Sequence, residues 1–372
     1  MDRRHFLRTT AVTAAVASLP GTSGFALADS ALAVPAASAI PPGWRAFEVT
    51  TRVEVQKPAG VTRIWLPTPL SSDTPYQRGM GNVWSAESGK VSFGTDPRYH
   101  AGMVWAEFPQ SEPAVLVMTS RFATRDIAVD LTQPGHAPAE DPAVLKRFLA
   151  ATESMPTDGI VKETSSAAVK GARTDLEKVR ALYEWIVENT YRDPKTRGCG
   201  TGDIKFMLEN KVLGGKCADL NALFVAMARA EGVPARDVYG IRVAASKLGY
   251  KSLGKPVGDI TGAQHCRAEV YLAGYGWVPM DPADVRKVIL EEDGGKKPDD
   301  PMVVAARKRL FGSWEMNWMG YNYAHDLHLP GSTAARGHVT FLMYPQAETA
   351  EGRLDSLDPA NFKYTITSRE IA

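Results

Sequence analysis

Gly214-Gly215-Lys216-Cys217-Ala218-Asp219-Leu220 is the stretch on which the reading of this chain turns. Two glycines lead, through one lysine, into a cysteine. Leu220, Leu223, Phe224, Met227 and Ala230 then recur at helical spacing, and Glu231-Gly232-Val233-Pro234 supplies the stop. Cys217 therefore opens a helix. Unpaired N–H groups and the macrodipole at a helix start favour negative charge, and such positions lower a cysteine pKa. The thiolate is the reactive form, so Cys217 is a candidate nucleophile, with its own N–H a candidate oxyanion donor.

Working outward, His265 follows the helix, and sixteen residues after it stands Asp281-Pro282. Cysteine, histidine and aspartate in that order are the parts of a nucleophile, a base and an orienting acid. Cys266 to Leu272 and Trp277 to Met280 read as two strands joined by Ala273-Gly274-Tyr275-Gly276. A tight turn centred on Gly274 and Tyr275 sets Asp281 opposite Ala268 rather than on the face of His265. A triad therefore requires a wider loop or a bulge, which the two glycines permit. Strand alternation further predicts that Cys266 points away from the cleft and that Cys217 stays free.

The same alternation organises the first part of the chain. Phe47 to Val55, Val61 to Leu66, Met103 to Phe108 and Ala114 to Arg121 read as strands of an antiparallel β domain over 45–131. Beyond Thr132-Gln133-Pro134-Gly135 the pattern turns helical. Thr174-Asp175-Leu176-Glu177 is a capping box for a helix, and a short helix is expected near Ile204 to Asn210. Ala235 to Val243, Trp314 to Tyr323 and His338 to Tyr344 read as further strands, and 286–300 as a surface excursion. The expected fold class is thus α+β: an N-terminal β domain, then an α+β domain over 140–372 whose motif core spans 174–290.

Asp2-Arg3-Arg4-His5-Phe6-Leu7-Arg8 resembles the twin-arginine export signal. A weakly apolar run, Thr9 to Leu19, and the small-residue site Ala26-Leu27-Ala28 follow in the expected order. This predicts a signal peptide over 1–28, a linker over 29–44, folding before export, and a periplasmic or secreted product. Removing residues 1–28 leaves 40 basic against 41 acidic residues. So even a balance gives no reason to expect nucleic acid as a partner. No segment reads as a transmembrane span.

There are three cysteines, Cys199, Cys217 and Cys266. With Cys217 free, the other two are left as a possible disulfide or as two plain thiols. His325 and His328 read as surface or packing residues rather than a metal pair, so no metal is expected. Trp314, Trp318, Tyr321 and Tyr323 read as β core rather than a carbohydrate platform. Gly198 to Gly202 lacks the Gly-Lys-Ser/Thr of a phosphate loop.

Gly215-Lys216-Cys217-Ala218-Asp219, His265 with Ala268-Glu269-Val270-Tyr271, and Gly274-Tyr275-Gly276-Trp277-Val278-Pro279-Met280-Asp281-Pro282 together resemble the transglutaminase-like superfamily. That family is similar in fold and triad logic to papain-type cysteine proteases. The resemblance implies that Cys217, His265 and Asp281 are catalytic and that no cofactor is needed. It implies acyl transfer from a peptide or protein amide through a thioester, with hydrolysis favoured over glutamine crosslinking. The reading from another class is a non-catalytic cell-envelope binding module on the same fold. Arg267, where many members carry an aromatic residue, either disfavours the imidazolium or binds a substrate carboxylate.

Overall fold

The computed structural model describes residues 40–110 and 113–372. The signal peptide at 1–28 and the linker up to residue 39 lie outside the described residues.

Two five-stranded antiparallel sheets hold the early strands. In one the order is Gly258–Asp259, Phe362–Glu370, Arg45–Val55, Val115–Thr124, Gln77–Ser85. In the other it is Gly352–Arg353, Gln346–Thr349, Thr62–Pro67, Gly102–Phe108, Lys90–Thr95. Val53, Ile64, Leu66, Val104, Phe108, Leu116 and Phe362 form one buried cluster from strands of both. The alternation of Arg45–Val55 sends Val49, Val53 and Val55 inward, as its pattern predicts.

The pairings cross the expected boundary between 45–131 and 140–372. Phe362–Glu370 lies beside Arg45–Val55 in register from Phe47↔Glu370 to Val55↔Phe362, and Gln346–Thr349 pairs with Thr62–Pro67. A strand pattern shows which face is apolar but not which strand lies alongside, so long-range partners are invisible in sequence.

The second region is built on a four-stranded antiparallel sheet ordered Gly276–Met280, Gln264–Leu272, Ala235–Arg242, Trp318–Asn322. The helix Cys217–Ala230 packs on it and is buried from Cys217 to Arg229. Burying side chains such as Leu220, Leu223, Phe224 and Met227 contributes roughly 1.5–3 kcal/mol each. The helix Asp175–Asn189 starts in the expected capping box: Glu177 N–H donates to Thr174 Oγ1 at 3.2 Å and Thr174 N–H to Glu177 Oε2 at 3.1 Å. Residues 286–291 are not part of a surface excursion as expected. They continue a helix, Pro282–Glu291, whose Pro at N1 and buried Val285 and Val288 give it a start and an apolar face.

Candidate active site

The start of the Cys217 helix is held from three directions. Asp219, in its first turn, turns back so that Oδ2 accepts the Lys216 N–H at 3.0 Å and Oδ1 accepts Thr201 and Gly202 N–H at 2.9 Å each. The glycine-rich loop is thus bound to an internal carboxylate. Gly200, at φ 97°, leaves the space that this carboxylate fills. The same loop hands its Cys199 carbonyl to the Ala218 N–H at 2.9 Å, and Cys199 Sγ donates to the Gln264 carbonyl at 3.3 Å. Lys216 O takes the N–H groups of Asp219 and Leu220. The Cys217 N–H has no hydrogen-bond partner among the described residues.

His265 lies on the strand Gln264–Leu272, and its ring is fixed by the helix start that follows the hairpin. The observed register is Ala268↔Met280 through Leu272↔Gly276, so the connection is the three residues Ala273-Gly274-Tyr275. One residue more than a two-residue turn moves Asp281 opposite Arg267, onto the face shared by His265. Asp281 is then the N-cap of Pro282–Glu291. Its Oδ1 accepts Asp284 N–H and Asn221 Nδ2, both at 3.1 Å, and its Oδ2 accepts His265 Nε2 at 2.8 Å. Asn221, one turn into the Cys217 helix, also donates to the Cys266 carbonyl at 2.9 Å and accepts the Ala283 N–H at 3.2 Å. One amide therefore ties together the elements that carry the three candidates.

Two tryptophans hold the backbone behind the site. Trp318 Nε1 donates to the His265 carbonyl at 2.9 Å and Trp314 Nε1 to the Met280 carbonyl at 3.2 Å. Gly240, paired with His265, has no Cβ, and the Trp318 ring fills that space. Both rings are fully buried, as expected of β core.

The electrostatics favour an ion pair. The neighbouring thiols of Cys199 and then Cys266 hold the Cys217 thiol well below the ordinary thiol range, against burial and with help from His265. The Cys199 thiol is pushed well up, by the neighbouring Cys217 and by burial. Cys266 is pushed up by burial and then by Cys217. Burial and the Arg242 charge press the His265 imidazole downward, but Asp284 and Asp281 outweigh them and raise it to about 9. Burial and the charge of Asp284 raise Asp281. Asp284, Nε2···Oδ2 3.4 Å from His265, feels burial too, but Arg242 keeps it well below the usual range.

Some expectations hold and others need correction. Cys266 points to the strand face opposite His265, as alternation predicts, and does not line the cavity beside Cys217 and His265, but it shares the core cluster with Cys217 and Cys199. The helix packs on the strand face that carries Cys266, Ala268 and Val270, so the face opposite His265 is the one toward the helix. All three cysteines are free thiols. Arg267 reaches neither substrate space nor the imidazole. It is buried, with Nη1 donating to the Glu315 carbonyl at 3.0 Å and Nε 3.7 Å from Asp281 Oδ2. The arginine that presses on His265 is Arg242. Sequence reasoning missed Asn221, Arg242, Asp284 and Cys199 as contributors; only the odd cysteine count pointed toward the last.

His265, Asp281 and Asp284 lie close enough to share a metal ion, but Arg242 and Arg267 stand against the two carboxylates and His265 Nε2 is already bonded. At the surface, Glu153, Asp326 and His338 form a second such group, in which Glu153 already pairs with Arg336 and His338. His325 and His328 part company. His325 is buried against Asp237 and Tyr239 at 3.0 Å each, while His328 is exposed.

Comparison with known proteins agrees with this fold. Residues 1–20 match the twin-arginine translocation pathway signal sequence, which indicates export across the cytoplasmic membrane. No helix among the described residues is long and apolar enough to cross a membrane. An uncharacterized protein of Haemophilus influenzae is 35% identical over 346 residues, covering 87% of this chain and 91% of its own. The crystal structure of a provisionally named cysteine protease from Cytophaga hutchinsonii superposes with a TM-score of 0.54 at 14% identity, over 88% of this chain and 91% of that one. Residues 162–282 match the model of the transglutaminase-like superfamily, a span that holds Cys217, His265 and Asp281, and this chain belongs to that superfamily.

Proposed function

We propose that the protein is an exported thiol hydrolase of peptide or protein amides, working in the periplasm or outside the cell through Cys217, His265 and Asp281. The observation that carries the reading is the His265 Nε2 to Asp281 Oδ2 contact of 2.8 Å beside a thiol at a helix start. With Nε2 committed to Asp281, Nδ1 is the ring nitrogen left for the sulfur.

The Cys217 thiolate adds to the amide carbon, and the carbonyl electrons move to an oxyanion that the unpartnered Cys217 N–H is placed to receive. Collapse of the intermediate expels the amine, protonated by the His265 imidazolium, and leaves a thioester. Neutral His265 then takes a proton from water as that water attacks the thioester, restoring thiolate and imidazolium. The residue roles are read from this geometry, and the family and the fold support the reaction class.

Trapping with an electrophilic peptide amide analogue, followed by peptide mass spectrometry, tests the assignment. A single adduct on Cys217, absent from Cys217→Ala, is expected. An adduct on Cys199 or Cys266 alone would remove Cys217 from its role.

A further inference from the structure

The cavity beside Cys217 and His265 has a volume of about 270 Å³. Its wall is charged in one sense. Arg192, Lys216, Arg242, Lys255 and Lys287 line it, and no aspartate or glutamate does. Arg242 is matched by Asp284, at 2.6 and 2.8 Å, and Arg192 and Lys287 share Glu291. Lys216 and Lys255 have no ion-pair partner among the described residues. Burial and then the Arg242 charge lower the Lys287 pKa, so the cations act on one another. The Cys217 thiolate and the His265 imidazolium cancel and do not correct the excess.

Gln264 supplies a second, separate observation. It lines the same cavity, is nine-tenths buried, and its Nε2 has no hydrogen-bond partner. The wall is therefore rich in donors and short of acceptors. Like charges gathered in a concave surface focus a field of one sign and attract the opposite charge.

We propose that this cleft selects acidic peptides: an amide whose neighbouring residue carries a carboxylate, held by Lys216 and Lys255. This rests on the nucleophile reading above. Since the reacting group is an amide, the anion must be carried by the amide-bearing molecule, which favours a peptide carboxylate over a free phosphate. Lys216 is the N-cap of the Cys217 helix, directly before the thiol, and Lys255 follows the strand Ala235–Arg242 in the chain. A carboxylate held at Lys216 would lie next to the attacked carbon.

The charge proposal is tested without turnover. Full-length mature protein carrying Cys217→Ala is titrated, by fluorescence anisotropy, with a labelled hexapeptide rich in glutamate and with its glutamine counterpart. The acidic peptide is expected to bind about tenfold more tightly. Raising the salt from about 0.02 M to about 0.5 M should erase the preference. Lys255→Gln, at an exposed position, should weaken the preference, and adding Lys216→Gln should abolish it in protein that melts as before. Equal affinity for the two peptides, or a preference that survives both substitutions, overturns the proposal. Displacement of the acidic peptide by equimolar inorganic phosphate overturns the carboxylate assignment. A separate measurement on the unsubstituted protein reads the thiol itself: iodoacetate should label Cys217 faster than neutral iodoacetamide. Slow labelling by both would sink the nucleophile reading while the peptide titration still decides the charge.

Discussion

Asp281 stands one place beyond the last paired residue of its strand, opposite Arg267, and from there its Oδ2 accepts His265 Nε2 at 2.8 Å. The approach is diagonal across one sheet face, two residues along from the direct partner. The cap of the next helix engages Oδ1 through the Asp284 N–H, and Asn221 engages it from another helix. Both oxygens are thereby committed, and the carboxylate is fixed in direction as well as position.

The first prediction concerns the thiols. Cys217 should alkylate with iodoacetamide faster than Cys199 and Cys266, and at a pH below the ordinary thiol value of about 8.5. Its pKa is lowered while theirs are raised. Peptide mapping after timed labelling reads the order. Uniform rates at all three sites would contradict it. Cys217→Ala should abolish turnover and leave the melting temperature within a few degrees.

A second prediction follows from the raised imidazole. His265 sits at about 9 in the folded protein against 6.5 unfolded, so protonation favours the fold. Its contribution is fully present below about pH 6.5 and is lost as the pH rises through about 9. On the order of 3 kcal/mol is at stake, one pKa unit being worth about 1.4 kcal/mol. The lowered Cys217 thiol contributes with the opposite sign over this window, so the measurement uses Cys217→Ala protein, in which calorimetric melting between these limits should show stability falling with pH. In His265→Gln that slope should flatten, and an unchanged slope would contradict the assignment. Amide hydrolysis should decline over the same upper range as the imidazolium is lost.

The third prediction separates orientation from support. Asp281→Asn keeps the helix cap and loses the charge, so turnover should fall at least tenfold while the melting temperature moves little, a milder loss than that of Cys217→Ala. Asn221→Leu leaves the Cys266 carbonyl and the Ala283 N–H without their partner and removes one of the two donors to Asp281 Oδ1. It should cost about 1–3 kcal/mol in stability as well as activity. Urea unfolding alongside single-turnover rates would distinguish the two, and equal destabilisation by both would defeat the distinction.

A fourth prediction tests the support behind the sheet. A Cβ at Gly240 would meet the Trp318 ring and the Met319 carbonyl, both in buried residues. Gly240→Ala should therefore destabilise by about 1–3 kcal/mol through overpacking. It should also slow Cys217 alkylation, because Trp318 anchors the His265 carbonyl. Normal melting and normal alkylation would show that this packing is dispensable.

Local features were legible in sequence. The Cys217 helix runs from Cys217 to Ala230, as its apolar spacing and its glycine stop require, and the Thr174 capping box forms. Each depends on neighbours within a few residues. The parity of Asp281 was not legible, because it hangs on the length of one turn and glycines permit several. Asn221 and Arg242 were not legible either. An Asn inside an apolar helix and an Arg at a strand end look ordinary until distant elements bring Asp281 and Asp284 to them. Alternation placed Cys266 on the face opposite His265, but it does not tell that this face meets the helix, where Cys266 joins the core cluster of Cys217 and Cys199.

The partnership of Arg45–Val55 with Phe362–Glu370 sets an order of events in the cell. Arg45 and Glu370, 325 positions apart, close the join with two contacts at 2.8 and 2.9 Å. During vectorial synthesis the first strand leaves the ribosome long before its neighbour exists. Its open edge must be shielded until Phe362–Glu370 is released. Completion of this sheet thus waits on the synthesis of a strand more than three hundred positions later. A copy that lacks Phe362–Glu370 would present an unsealed edge beside Arg45–Val55.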